Sequence, residues 1–234
     1  MTQPLGEEVP GWDGARRPSR VTLTGRYASV VPLDAAAHAH ELYECSRDPA
    51  VWTYLSYGPW SAEDNYRRAL EQQQEQEDPL FFTVLVDGTP RGVVSYLRIE
   101  ERMGSIEIGH IWYAPAIQRS PATTEVTYLL ARHAFEDLGY RRFEWKCHAL
   151  NARSRAAAER FGFTYEGTHR QAMVVKGRNR DTAWFSILDK EWPAVRAEFE
   201  RWLDPANFDA DGVQRSRLNA SSASTNAWSG SSRS

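Results

Sequence analysis

The period of the apolar positions changes repeatedly along the chain, and each change marks an element. Residues 25–32 alternate through Tyr27, Ser29 and Val31, which predicts a strand. Residues 33–45 shift to helical spacing through Leu42, with Asp34 as the N-cap. Pro49 blocks any continuation, and the run AVWTYLSYGPW follows with Trp52, Tyr54, Tyr57 and Trp60. Ser61 is expected to cap a polar helix through residue 76, with Glu63 and Asp64 in its first turn. Strands 80–86 and 91–99 flank Asp87-Gly88, a tight-turn pair, and strand 106–113 completes an antiparallel meander. A polar loop at 118–122 leads into a helix over 123–138, which Gly139 stops. Strand 141–148, a short helix from Asn151 to Gly162-Phe163, a hairpin of 165–176 with 182–188 around Gly177, and a helix over 191–202 close the pattern.

Composition narrows the class. The 234 residues suit one domain over 21–205, a mobile N-terminal arm over 1–20 and a polar, largely disordered tail over 206–234. An apolar fraction of 41% is enough for a packed core, and a net charge of −3 gives no general field for nucleic acid. No apolar run has the length of a membrane span. The first residues lack a basic region followed by an apolar one, so they do not read as a secretory signal. Cys45 and Cys147 lie far apart, which suggests reduced thiols and a cytoplasmic protein, with Cys147 a buried strand residue. His38 and His40, two apart on a helix, do not face one another, and no metal site is expected. Asn219-Ala-Ser fits a glycosylation triplet, a match frequent by chance.

The stretch 118–163 organises the rest, because loop, helix, strand and helix in that order can present backbone N–H groups to an anion at a helix tip. Its motifs resemble the GNAT acetyltransferase superfamily and, within it, the Rim-type branch named for ribosomal-protein N-terminal acetyltransferases. The resemblance covers residues 25–188. It rests on Glu107-Ile108-Gly109 leading to Ala114-Pro115, on Gln118-Arg119-Ser120-Pro121-Ala122-Thr123-Thr124-Glu125, on Asn151-Ala-Arg-Ser154 with Glu159-Arg160-Phe161-Gly162-Phe163, and on Glu166-Gly167 with Arg180-Asp181 and Phe185.

The resemblance implies an α+β fold: a mostly antiparallel sheet with a central, splayed parallel pair, flanked by helices. It implies acetyl-CoA as co-substrate and a primary amine as acceptor, either a protein N-terminus or a small molecule. Residues 118–123 depart from the branch's pattern: Arg119 and Pro121 stand where glycine is usual, and Pro121 has no N–H. The loop is expected to bind coenzyme A through Gln118 and the amides of Arg119, Ser120, Ala122 and Thr123; the alternative is a plain helix start. Backbone groups of Ile111 and Tyr113 are expected to pair with pantetheine.

Glu107 is the candidate base, with a surface strand residue or an ion-pair partner as its bland reading. His110 is a rival, placed by strand alternation on the opposite face from Glu107. Asn151 is an N-cap that can also touch the coenzyme. Ser154 fills the first turn or protonates the leaving thiolate. Arg160 is expected in solvent. Trp52, Tyr54, Tyr57, Trp60 and Trp112 are expected to wall the acceptor, or to be ordinary core. A homodimer through the hairpin near Gly177 is possible on this pattern. The other function classes are a catalytically weak acyl-CoA sensor and a docking module.

Overall fold

The computed structural model describes residues 3–220. Of the tail expected to be largely disordered over 206–234, residues 221–234 lie outside the described residues, and within 206–220 Asn207, Leu218 and Ala220 are buried. Strand β1 (Leu23–Thr24) and β2 (Ser29–Pro32) lead to helix α1 (Ala35–Cys45), a 3-10 turn at Pro49–Trp52 and helix α2 (Glu63–Gln74). Strands β3 (Leu80–Val86), β4 (Thr89–Glu100) and β5 (Ser105–Tyr113) then form the meander. Helix α3 (Pro121–Arg132), strand β6 (Arg142–His148) and helix α4 (Ala152–Arg160) follow. Strands β7 (Thr164–Val175) and β8 (Arg178–Leu188) and helix α5 (Trp192–Leu203) complete the order.

The local chemistry accounts for most boundaries. Asp34 accepts the amides of Ala36 and Ala37 and so caps α1. Asp87 and Gly88 both take positive φ, 50° and 74°, the conformation that lets a two-residue turn follow the strand twist. Lys176 and Gly177 do the same for β7–β8. Several boundaries differ from expectation; β8, for one, starts at Arg178 rather than at 182. Ala62 rather than Ser61 is the N-cap of α2, and no side chain caps it. The helix expected to reach 138 is α-helical only to Arg132, after which one π turn runs over His133–Asp137 before Gly139 turns at φ 78°.

All eight strands form one sheet in the order β1-β2-β3-β4-β5-β6-β8-β7. Only β5 and β6 run parallel. One apolar cluster joins α1, α2, Trp52, Phe81, Val93 and Trp112; the larger one packs α3 and α5 against the other face through Val126, Leu130, Phe143, Phe185 and Phe199. Where a free arm is expected, residues 12–17 lie along the β4–β5 turn. Ala15 N–H donates to Glu101 O at 2.8 Å, and Trp12 Nε1 to Arg102 O at 2.9 Å.

Candidate active site

The site begins where the parallel pair stops being a pair. β5 and β6 are in register from Ser105↔Arg142 to Ile108↔Trp145, and no pairing continues beyond. Gly109–Tyr113 therefore keeps a ladder only with β4, and its other edge faces a gap. A cleft of about 560 Å³ passes through this gap. It brings together Glu107, Ile111, Tyr113 and Gln118 with Asn151 and Ser154, and it reaches Tyr54 and the wall of Trp112. Gln118 Nε2 donates to Tyr113 O at 3.0 Å and fixes that end of β5; a carbonyl has a second lone pair to offer.

His110 is not on the face that alternation predicts. Val93 pairs with Trp112 and Ser95 with Gly109, so β5 carries one residue more than β4 between these pairs. This is a β-bulge, and His110 absorbs it at φ 51°. The extra residue resets the alternation, and Glu107 and His110 line the same cleft. A side chain at 109 has no room there: a Cβ on Gly109 would lie 2.7 Å from Leu97 Cδ2 and 3.4 Å from Glu107 Oε1. Tyr57 stacks on the His110 ring at 5.6 Å, and the Tyr57 hydroxyl lies 3.2 Å from His110 Nδ1. Burial, with Arg180 nearby, lowers the His110 pKa to about 4, so the ring is neutral near pH 7.

Glu107 is 5% exposed and sits on the charged face of the sheet. Its Oε2 lies 3.1 Å from Arg98 Nε and 3.1 Å from Lys146 Nζ, without hydrogen-bond alignment. Burial raises its pKa, Lys146 and Arg98 pull the other way, and the rise prevails. The ion-pair reading of Glu107 thus holds geometrically and does not displace it from the cleft. Arg98 is aimed by a second irregularity: it takes φ 48°, and the Asp78 carboxylate accepts the amides of Arg98 and Ile99 at 2.9 and 3.1 Å.

Lys146 was not singled out from the sequence. It reaches Glu144 at 2.6 Å and lies 3.6 Å from the Trp184 ring centre. Arg142, Glu144, Lys146 and His148 alternate along β6, and that polar row was the available signal.

On the helix face of the gap, Asn151 Oδ1 accepts the Ser154 amide at 3.1 Å, capping α4. Trp145 Nε1 donates to Ser154 Oγ at 3.0 Å, which leaves the Ser154 proton available to another acceptor. The tip of α3 lies outside the cleft lining. Arg119 takes φ 62° ahead of it, a conformation that glycine adopts more easily. The Ser120 amide is not a free donor, because it bonds Ile117 O at 3.2 Å. The Ser120 hydroxyl is buried without a partner among the described residues. Ala122 and Thr123 are the first helical residues after Pro121, so their amides have no acceptor within the helix. Glu125 fixes the tip: its carboxylate accepts the amides of Arg26, Tyr27 and Ala28 at 2.8, 2.5 and 2.8 Å.

The aromatic residues separate. Tyr54 is at the cleft mouth, edge-on to His148 at 5.3 Å, with its hydroxyl donating to Leu150 O at 3.3 Å. Trp52 is core: it is 1% exposed, packs on Trp112 and Tyr66, and gives its indole N–H to Ser46 O at 2.8 Å. Trp60 packs on Tyr66 away from the cleft, and Tyr57 backs His110. Arg160 is also displaced from its expected place in solvent. It lies 4.7 Å from the Trp202 ring centre and donates to Thr124 Oγ1 at 3.1 Å. Both cysteines are free thiols, with Cys147 buried. Among the described residues no His, Cys, Asp and Glu cluster could hold a metal, and no helix is long and apolar enough to cross a membrane.

A sheet with a single parallel pair, parted at mid-length and followed by an uncapped helix tip, defines an acetyltransferase scaffold. The GNAT acetyltransferase domain model matches residues 30–164, and the chain belongs to that family. A crystal structure of a GCN5-related N-acetyltransferase from Brucella melitensis superposes with a TM-score of 0.88 at 43% identity, over 90% of this chain and 97% of that one. The ribosomal-protein-serine acetyltransferase of Escherichia coli (strain K12) is 25% identical over 73% of this chain and 100% of its own length. A Bacillus subtilis (strain 168) protein, YdaF, whose name assigns it provisionally to the ribosomal N-acetyltransferases, is 28% identical over 69% of this chain and 89% of its own. These relatives support the Rim-type branch. The family uses acetyl-CoA as co-substrate.

Proposed function

We propose that this protein moves an acetyl group from acetyl-CoA to a primary amine by direct attack in a ternary complex. The observation that carries this is the parting of β5 from β6 after Ile108 and Trp145, with Glu107 on one face of the gap and Ser154 on the other. The two faces give donor and acceptor separate approaches.

On the donor side, the free amides of Ala122 and Thr123 and the Ser120 hydroxyl suit a diphosphate at the α3 tip, and Arg119 adds charge. The free edge of β5 at Ile111 and Tyr113 suits the pantetheine amides, as an added strand would. One of these N–H groups polarises the thioester carbonyl and steadies the negative charge that grows there. Asn151 borders the pantetheine path.

On the acceptor side, Glu107 takes the proton from the amine, directly or through a water. Its raised pKa brings it nearer the range where a base is effective at neutral pH. As the C–N bond forms and the C–S bond breaks, Ser154 gives its proton to the departing sulfur and regains one from solvent. The relatives named for ribosomal proteins make a protein N-terminus the leading acceptor. Calorimetry with acetyl-CoA tests the donor half; no heat at millimolar ligand removes the proposal. A thiol-release assay over peptides and small amines tests the acceptor half.

A further inference from the structure

The acceptor wall contains buried donors that the transfer itself does not use. On β8, Arg180, Thr182 and Trp184 share one face of the sheet, since residues two apart in a strand point the same way. Register puts that face with Glu107: Glu107 pairs with Glu144, Lys146 with Trp184 and His148 with Thr182. Arg180 Nε, Thr182 Oγ1 and Trp184 Nε1 are each buried with no hydrogen-bond partner among the described residues, and all three residues line the cleft. A row of buried, unmatched donors carries a desolvation cost unless something else accepts from it.

The neighbouring carboxylates are occupied elsewhere. Asp181 accepts the Gln171 amide at 2.7 Å and Asn179 Nδ2 at 2.9 Å. Glu144 is held by Lys146 and Arg142, and Glu107 faces Arg98 and Lys146. With Arg98 and Lys146 matched by Glu107 and Glu144, Arg180 is the cation on this wall that has no ion-pair partner among the described residues, so the wall can take an anion even with Glu107 ionised.

We infer that Arg180, with Thr182 and Trp184, binds a carboxylate carried by the acceptor a few atoms from its reactive amine. A guanidinium flanked by a hydroxyl and an indole N–H matches a planar two-oxygen acceptor. The amine end then points along the same face toward Glu107. This rests on the acetyl-transfer reading and specifies its substrate: the carboxylate belongs either to a free amino acid or to an acidic side chain near the start of a peptide.

The test is a thiol-release assay with acetyl-CoA in two arms. One compares free amino acids with their amides. The other compares amidated peptides carrying Asp or Glu in the first three positions with Asn or Gln counterparts. We expect kcat/KM to be at least tenfold higher, mainly through KM, for the carboxylate member of one arm, and that arm identifies the source. Arg180→Gln should bring this ratio to about one, and Arg180→Lys and Thr182→Val to intermediate values. Arg170→Gln, an exposed control on β7, should keep the native ratio. The same compounds are titrated calorimetrically into the native protein, so the subsite is read even for an acceptor that does not turn over. Acetyl-CoA binding without carboxylate preference or carboxylate heat overturns this inference alone. Failure to bind acetyl-CoA overturns the acetyl-transfer reading instead.

Discussion

The tip of α3 and the charged wall of the cleft are built from different materials. The α3 tip is a backbone device: its donors are the Ala122 and Thr123 amides, and side chains serve mainly to hold it in place. The charged wall is a side-chain device, in which Arg98, Glu107, Lys146 and Glu144 neutralise one another across β4, β5 and β6. A backbone site tolerates changed residues as long as the chain keeps its path. On the proposed reading of the tip as a diphosphate site, this is how Arg119 and Pro121 can stand there in place of small residues. A side-chain site has no such tolerance, because each buried charge depends on its neighbours' identity.

The sharpest contrast comes from Glu107→Gln. Loss of a positioned base should lower kcat roughly 100-fold or more, with acetyl-CoA affinity from calorimetry unchanged. Unchanged turnover would leave Glu107 only its ion pairs. The native pH profile adds to this. Glu107 must be ionised to act, so kcat/KM should rise with pH through a limb above the ordinary carboxylate value of 4.5. Glu107→Gln should lack that limb. His110, lowered to about 4, should contribute no limb near the usual histidine value of 6.5.

Glu125→Ala asks how much the backbone device depends on its clamp. Three amides lose their carboxylate acceptor, and the cost should be about 3 kcal/mol or more, read as a fall in Tm. Gly25→Ala reaches the same clamp from the other side, since its Cβ would lie 2.3 Å from the Glu125 carboxylate. Retained stability in both variants would show that the tip holds itself.

Ser154→Ala should lower kcat by roughly tenfold if the hydroxyl protonates the leaving sulfur. Full turnover would return Ser154 to the first turn of α4. The smallest effect belongs to Arg119→Gly. With the backbone path preserved, acetyl-CoA Kd should move by no more than about twofold, and glycine suits the φ of 62°. A tenfold weakening would mean that the guanidinium, and not the bend, carries the affinity.

Local chemistry made much of this readable beforehand. Asp34 capped its helix, Asp87-Gly88 turned its hairpin, Gly139 followed its helix, and the order of elements through 118–163 was correct. The errors share a cause. His110 was assigned to the wrong face because one inserted residue, opposed only by β4, resets a period of two. Trp52 was offered to the acceptor because an aromatic run has no periodicity to say which rings face inward. Arg160 was placed in solvent because Trp202, its partner, lies on α5, far along the sequence. The Ser120 amide was counted as a donor because its bond to Ile117 O exists only once the loop has bent.

The sequence by itself determined the elements, their order, the two hairpin turns and the chemical kinds of residue available at the gap. Those depend on spacing and on φ preferences that act within a few residues. Tertiary structure alone decided that Glu107 meets Arg98 and Lys146, that Trp52 is core, and that Arg180 Nε, Thr182 Oγ1 and Trp184 Nε1 line a cleft without a hydrogen-bond partner among the described residues. Those outcomes need strands distant in sequence to lie about 5 Å apart in a fixed register. No local rule sets that register, because it is the packing of both sheet faces together that selects it.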